Sequence, residues 1–335
     1  MSVGDLLNVA LSKDVDFAAY RFPGEENINV LVDKGKARII DSLEDISTLE
    51  GFIFAPFDSQ QHKSLLIRPG YRFSGKIGDL PAVDDWLSEQ PERNTETQAD
   101  SDVYTAKKSE YTKGVEYIKK NIRLGLIKKA VLTRIYNEAL PAGFNAAELF
   151  LNLCKAYKHS FISLVFTATT GCWVSATPEM LIRSDADGVT LISLAGTRFA
   201  NSDVNNVHWS QKELTEQQIV TDYITQVLEH NHFNNYHTSG PETVKAGRLY
   251  HLKTTISVPN LSLNGKTSKF IKELHPTPAV WGQPKDAVKD IIQQTEKHNR
   301  EYYSGFLGPV NIHNKIDLYV NIRTLKVTNN RLNIL

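Results

Sequence analysis

Residues 171–200, GCWVSATPEMLIRSDADGVTLISLAGTRFA, constrain this chain more than any other stretch. Residues 172–176 and 189–194 are apolar and β-rich, and 185–188 punctuate the run, so the pattern predicts two short strands joined by a turn. Two details interrupt it. Glu179 follows a Thr-Pro step just past the first strand, and Gly196-Thr197-Arg198 ends the second. A carboxyl among apolar strands is costly to bury unless it is paired or protonated. A glycine at a strand end lets the backbone approach a bound group closely. Either feature alone is ordinary at a turn, so their weight comes from what the rest of the chain adds.

The 335 residues suffice for a large core. A formal net charge of zero removes the electrostatic footprint of a nucleic-acid or membrane-surface protein, so neither partner is expected. Two cysteines, Cys154 and Cys172, are too few for a disulfide framework or a zinc cluster; both lie in apolar patterns, as buried thiols of a reducing compartment do. The first residues lack a basic start and a long apolar run, and no apolar run approaches spanning length. A cytoplasmic protein is the expectation; the oligomeric state is left open by the sequence, with a monomer the default.

In chain order, a short helix leads to a strand at 17–22, and 28–32 with 37–40 read as a hairpin across 33–36. Strands at 51–56 and 64–68 complete a strand-rich first subdomain, residues 1–100, of antiparallel character. Residues 88–109 are polar with almost no apolar anchor, which marks the change to a second region, 105–335. From Glu110 the apolar spacing becomes helical and stops at Gly125. Then LIKKAVLTRIYNEAL reads as one strand with Lys129, Val131 and Thr133 on a shared face. A snorkelling edge lysine is the ordinary explanation for such a position.

Residues 145–157 form an amphipathic helix and 161–167 a buried strand. Residues 210–229 make the best-marked helix: Ser210 with Glu213 is a capping box, and Ile219, Val220, Tyr223, Ile224, Val227 and Leu228 form its stripe. Glu216 lies on the centre line of that stripe, where it serves either the helix dipole or a cation. His251 sits in a strand at 248–258, where a structural role is the commoner one. The prolines of LHPTPAVWGQP (274–284) rule out a helix and fix a rigid loop that contains Ala279. Strands at 306–312 and 316–327 follow, the second with Tyr319, Asn321 and Arg323 on one face; an arginine so placed suits bidentate carboxylate binding. Asn329-Asn330 then turns the chain into RLNIL, which reads as a strand cut short.

Taken together, KAVLTR (129–134), ATPEMLI (176–182), SLAGTR (193–198), the Glu216 helix, HLKTTI (251–256), LHPTPAVWG (274–282), the run from Glu296 through Arg300 to Gly308, and VNIRTL (320–325) resemble the chorismate-binding enzymes. That family includes isochorismate, salicylate, anthranilate and aminodeoxychorismate synthases. The resemblance implies an α+β fold of two large, mainly antiparallel sheets packed face to face with helices outside, and an active site in the cleft between them. It implies that Lys129 is the base that activates water, and that Glu179 is the acid that protonates the departing hydroxyl. By the same resemblance Glu216 holds Mg²⁺, Gly196, Thr197, Ala279 and Arg323 contact the substrate chorismate, and His251 is an active-site histidine.

The implied chemistry is coherent. Converting chorismate to isochorismate needs water added at one ring carbon and hydroxyl lost from another, hence a base and an acid. A lysine base must come down from about 10.4 towards roughly 7–8, and a glutamic acid donor must go up. Anthranilate synthases typically carry glutamine where Lys129 stands, and aminodeoxychorismate synthases carry a nucleophilic lysine where Ala195 stands. Lys129 with Ala195 is the isochorismate pattern, feeding menaquinone or siderophore synthesis; salicylate synthases share it. Family members continue with a glycine-rich turn and a helix bearing a second Mg²⁺ glutamate and a substrate-binding lysine. Their absence here gives the further expectation of a truncated chain, with an inactive chorismate-binding protein as the alternative from a different functional class.

Overall fold

The computed structural model describes residues 2–41, 43–81, 85–93, 103–200, 204, 207–261, 263 and 266–335. Its first strands are β1 (Phe17–Arg21), β2 (Ile28–Val32), β3 (Arg38–Ile40), β4 (Gly51–Ala55), β5 (Ser64–Ile67) and β6 (Tyr71–Gly75). Then come β7 (Lys129–Ala130), β8 (Tyr136–Ala139), β9 (Phe161–Thr167), β10 (Gly171–Thr177), β11 (Met180–Asp185) and β12 (Gly188–Phe199). The last are β13 (His237–Ala246), β14 (Leu249–Pro259), β15 (Gly282–Gln283), β16 (Phe306–Ile312), β17 (Lys315–Val320), β18 (Thr324–Val327) and β19 (Arg331–Ile334). The helices are α1 (Val3–Ser12), α2 (Asp85–Glu89), α3 (Lys108–Arg123), α4 (Ala146–Ala156), α5 (Gln211–His230), α6 (Thr267–Leu274) and α7 (Lys285–Thr295).

Two large sheets dominate. One has eight strands in the order β6-β2-β1-β9-β10-β18-β19-β8, the other nine in the order β13-β14-β12-β11-β17-β16-β4-β5-β3. Their ladders are antiparallel. Strands from residues 1–100 are shared between both sheets and pair there with strands from beyond residue 105. The polar stretch 88–109 lies partly outside the described residues.

Alternation along each strand explains the layers. In β9, Phe161 and Val165 point between the sheets, while Ile162, Leu164 and Phe166 point outward against Val3, Leu6 and Leu7 of α1 and Ala147 and Phe150 of α4. The outer face of the nine-stranded sheet, with Leu191 and Ile256, packs on Val220, Ile224 and Leu228 of α5 and on Phe270 and Leu274 of α6. Between the sheets the core is aromatic. Phe161 stacks on Tyr319 with ring centroids 4.1 Å apart, and Phe54 meets Trp173 edge-on at 6.0 Å. The architecture is the one the resemblance implied.

Four local expectations need correction, and three share one cause: the chain crosses between sheets where the sequence reads as continuous. First, β2 and β3 do not form a hairpin. β2 belongs to the eight-stranded sheet and β3 to the nine-stranded one. Buried Asp33 fixes that crossing by accepting from the Gly35 and Arg68 amides and from the Arg68 guanidinium. Second, residues 171–200 hold three strands, and β10 lies in a different sheet from β11 and β12. Third, residues 316–327 are two strands, β17 and β18, again in different sheets. Arg323 in the break between them has φ 50°, a left-handed conformation that a regular strand excludes.

The fourth correction concerns LIKKAVLTRIYNEAL. Only Lys129–Ala130 and Tyr136–Ala139 are strand, and 131–135 is irregular. β7 pairs with the short β15 alone, so no long ladder continues past Ala130.

The stacked pair Phe161–Tyr319 bridges the two sheets, so Phe161→Ala should cost about 3–5 kcal/mol of unfolding free energy in urea titrations. A cost below about 1 kcal/mol would show that the inter-sheet core does not depend on this contact.

Candidate active site

The two crossings beside each other build the site. β10 and β18 are neighbours in one sheet, and β11 and β17 are neighbours in the other. The chain therefore passes between the sheets twice at one place, once through 178–179 and once through 321–323. The two passages are tied together: the Ala176 amide donates to the Arg323 carbonyl at 3.1 Å, and the Val320 amide donates to the Glu179 carbonyl at 2.9 Å. Glu179 and Arg323, 144 positions apart in the sequence, are thereby fixed side by side.

Glu179 is buried, 4 % exposed. Its carboxyl accepts from the Thr277 hydroxyl at 3.4 Å. Burial pushes it up to about 7, against the pull of Lys129, the Thr277 hydroxyl and Arg323. Lys129 is buried as well, and desolvation lowers its ammonium from the usual lysine range, while Glu216 and Glu179 oppose that shift. Its Nζ lies 3.1 Å from Glu216 Oε1. Beyond that ion pair, Nζ has no hydrogen-bond partner among the described residues. The base and acid candidates are thus both buried and electrostatically coupled, with their pKa values displaced in opposite directions as the chemistry requires.

Arg323 donates to Nε2 of His251. A guanidinium can only donate, so Nε2 is the acceptor and Nδ1 carries the proton, which it gives to the Gly196 carbonyl at 2.9 Å. The Thr197 hydroxyl lies 3.3 Å from the same Nδ1. Burial and the adjacent Arg323 lower the pKa of His251, in keeping with a neutral ring. His251 therefore joins Gly196 and Thr197, at the register shift within β12, to Arg323 in the second crossing. Gly196 has φ 66°, and its carbonyl is aimed by that left-handed turn.

Glu216, one turn into α5, has a side chain 33 % exposed beside buried Lys129. The Ser210–Glu213 capping box that sets the start of this helix is present. Ala279 lies in the loop between α6 and β15, two residues after Thr277, so the same loop touches Glu179. Lys129 pairs with Glu216, and His251 bonds to Gly196, Thr197 and Arg323; Glu179 feels the charges of Lys129 and Arg323, and Ala279 lies in the loop whose Thr277 bonds to Glu179.

Three participants escaped the sequence reading. Thr277 is a polar residue inside a proline-rich loop, a signal that was available. Gln217 is 2 % exposed and donates to Ser193 and Thr254, anchoring α5 to β12 and β14 next to Glu216; its amide in an otherwise apolar stripe gave no warning. Tyr303 is half-buried and feels the charge of Glu179. A separate cavity of about 550 Å³ opens between residues 56–64, α6 and α7, and none of the eight site residues lines it.

The description "chorismate binding enzyme" fits a family model that matches residues 76–335. The chain belongs to that family. Among curated relatives it is 27 % identical over 216 residues to isochorismate synthase EntC of Escherichia coli K12, covering 62 % of this chain and 55 % of that one. It is 24 % identical over 270 residues to isochorismate synthase DhbC of Bacillus subtilis, covering 76 % of this chain and 65 % of the relative. The chain thus spans less than two thirds of the length of either. Among solved structures, the menaquinone-specific isochorismate synthase MenF of E. coli superposes with a TM-score of 0.76 at 18 % identity, covering all of this chain and 84 % of that one, a likeness of fold.

A carboxyl raised from 4.5 to about 7 binds its proton more tightly in the folded state than in the unfolded chain. Stability from this group is therefore greatest at low pH and falls as pH rises between those values. Glu179→Gln should remove that fall, so the melting-temperature difference between the variant and the native protein should widen from pH 5 to pH 8 in the variant's favour. Parallel curves would show that Glu179 titrates as an ordinary surface acid.

Proposed function

We propose that this chain is an isochorismate synthase, an isomerase that adds water to one ring carbon of chorismate and expels hydroxide from another. The observation that carries the reading is that Lys129 and Glu179 are both buried and feel each other's charge, with desolvation lowering the lysine and raising the glutamate to about 7. Both curated relatives described above are named isochorismate synthases, which supports it. So do Lys129 where a glutamine would suit ammonia, and Ala195 where a lysine would serve as nucleophile.

In this reading neutral Lys129 takes a proton from water as the new carbon–oxygen bond forms. Protonated Glu179 gives its proton to the departing hydroxyl, which leaves as water. One proton enters the base and one leaves the acid, so substrate and product differ only in the position of the hydroxyl and the double bonds. Arg323, held by His251, meets a substrate carboxylate, and the Gly196–Thr197 turn and the Ala279 loop close around the ring.

Mg²⁺ belongs to the same reading. Among the described residues no group of three or more His, Cys, Asp or Glu forms a metal site. A single hard carboxylate still suits Mg²⁺, which keeps several waters and binds through one or two carboxylates together with substrate oxygens. Glu216, partly exposed at the edge of the site, is the residue that would hold it. Bound there, the ion would offset the negative charge of a chorismate carboxylate.

The product would serve menaquinone or siderophore synthesis; the solved MenF of E. coli is named menaquinone-specific. Both cysteines are free and buried, which suits a cytoplasmic protein, and no helix among the described residues is long and apolar enough to cross a membrane.

The test is product analysis after incubation with chorismate and Mg²⁺. Isochorismate as sole product is expected, lost on chelation with EDTA. Salicylate with pyruvate would make the chain a salicylate synthase, and saturable binding without turnover would make it a chorismate-binding protein. Lys129→Gln should lower turnover by roughly 100-fold or more with the fold retained by circular dichroism; undiminished turnover would remove Lys129 from the mechanism.

A further inference from the structure

Lys129 opens a two-residue strand, and the chain after that strand, 131–135, has no sheet to hold it. A catalytic side chain is only as well placed as the backbone that carries it. What holds this backbone is a buried ion pair lying behind it. Glu296 and Arg300 have side chains 4 % and 3 % exposed and meet at 2.6 Å and 2.8 Å through two parallel bonds.

The remaining valences of this pair reach two backbone segments. Arg300 donates to the Val131 carbonyl and to the Val280 carbonyl, each at 2.9 Å. Glu296 accepts from the Thr133 amide at 2.7 Å and from the Thr133 hydroxyl at 2.9 Å. His298 Nε2 lies 2.9 Å from that hydroxyl. The guanidinium is also clamped over Phe57 and Trp281, 4.6 Å and 5.4 Å from their ring centroids. Val131 is two residues past Lys129, and Val280 directly follows Ala279. Direct bonds complete the junction, from the Lys128 amide to Gln283 and from the Val131 amide to Trp281.

We propose that Glu296 and Arg300 are positioning residues: as one planar unit they replace the missing ladder after β7 and fix the Lys129 segment against the loop that carries Thr277 and Ala279. This rests on the reading of Lys129 as the base. The bonds of both residues go to each other, to Thr133 and to the Val131 and Val280 carbonyls, and none goes to the Lys129 side chain. A buried ion pair seldom stabilises more than apolar residues of equal volume would. Here its geometry supplies what apolar residues cannot, namely donors and acceptors for backbone groups that no strand satisfies. A lysine at position 300 would keep the charge but lose the fork that reaches both carbonyls and both carboxylate oxygens at once.

Two measurements on the full 335-residue chain test this. The first is amide hydrogen exchange of Arg300→Lys by mass spectrometry, with no substrate present. Exchange across 129–133 should rise roughly tenfold or more while β9, β10 and α5 stay within about twofold of the native protein. The second is chorismate turnover, where kcat should fall roughly 10- to 100-fold with KM within about threefold. Glu296→Gln, which keeps the shape and one acceptor, should move both readouts the same way by less, and it carries the test if Arg300→Lys does not fold. Unchanged exchange across 129–133, exchange raised evenly across both sheets, or local loosening with native kcat would each overturn the proposal. If the native chain shows no turnover of chorismate, the functional reading fails and the exchange result alone decides the positioning.

Discussion

Everything in the site depends on two neighbouring strands leaving one sheet and joining the other at the same point. A strand that leaves its sheet gives up ladder partners, and buried backbone groups must be satisfied elsewhere. Here each passage satisfies the other, through Ala176 to Arg323 and Val320 to Glu179. Within the passages Glu179 and Asn321 are buried. Burial there withdraws the Glu179 carboxyl from water.

That location explains the electrostatics. Desolvation is the largest influence on Glu179, Lys129, His251 and Arg323 alike, and in each it disfavours the charged form. The groups then relieve one another: Lys129 pairs with Glu216, Arg323 bonds to a neutral imidazole, and Glu179 is held by a hydroxyl. No member is fully compensated. A set of buried groups left short of charge balance favours a ligand that brings its own carboxylates, which is the chemistry of the family to which the chain belongs. The ion pair of Glu296 and Arg300 is the contrasting case, with its hydrogen-bonding groups taken up by each other and by nearby backbone.

Much of the fold was legible because period-two and period-3.6 patterns survive burial. β9, α4, α5 and β16 lie within a residue or so of where their patterns place them, and the capping box at Ser210 marked the start of α5. The failures are equally physical. Residues 171–200 and 316–327 look like simple strands and turns because a sheet crossing changes a strand's partners without changing its composition. The stretch after Lys129 has strand-like residues throughout and still is not a strand, since its hydrogen bonds go to the side chains of Glu296 and Arg300. Of the site, the ionisable members were identifiable from motif and resemblance. Thr277 and Gln217 were not singled out, being small or neutral polar residues whose role is to hold others.

By itself the sequence determined the residue types: a lysine and not a glutamine at 129, a small residue at 195, a carboxyl at 179 and an arginine at 323, together with the local periodicity that makes antiparallel strands and amphipathic helices. These follow from covalent chemistry and short-range sterics. Tertiary structure alone decided that Glu179 and Arg323 stand together, that the His251 ring is held as a neutral acceptor, and that the Lys129 segment is fastened from behind. Each of those depends on hydrogen bonds between groups far apart in the chain and on the exclusion of water between two sheets, and neither exists until both sheets have closed.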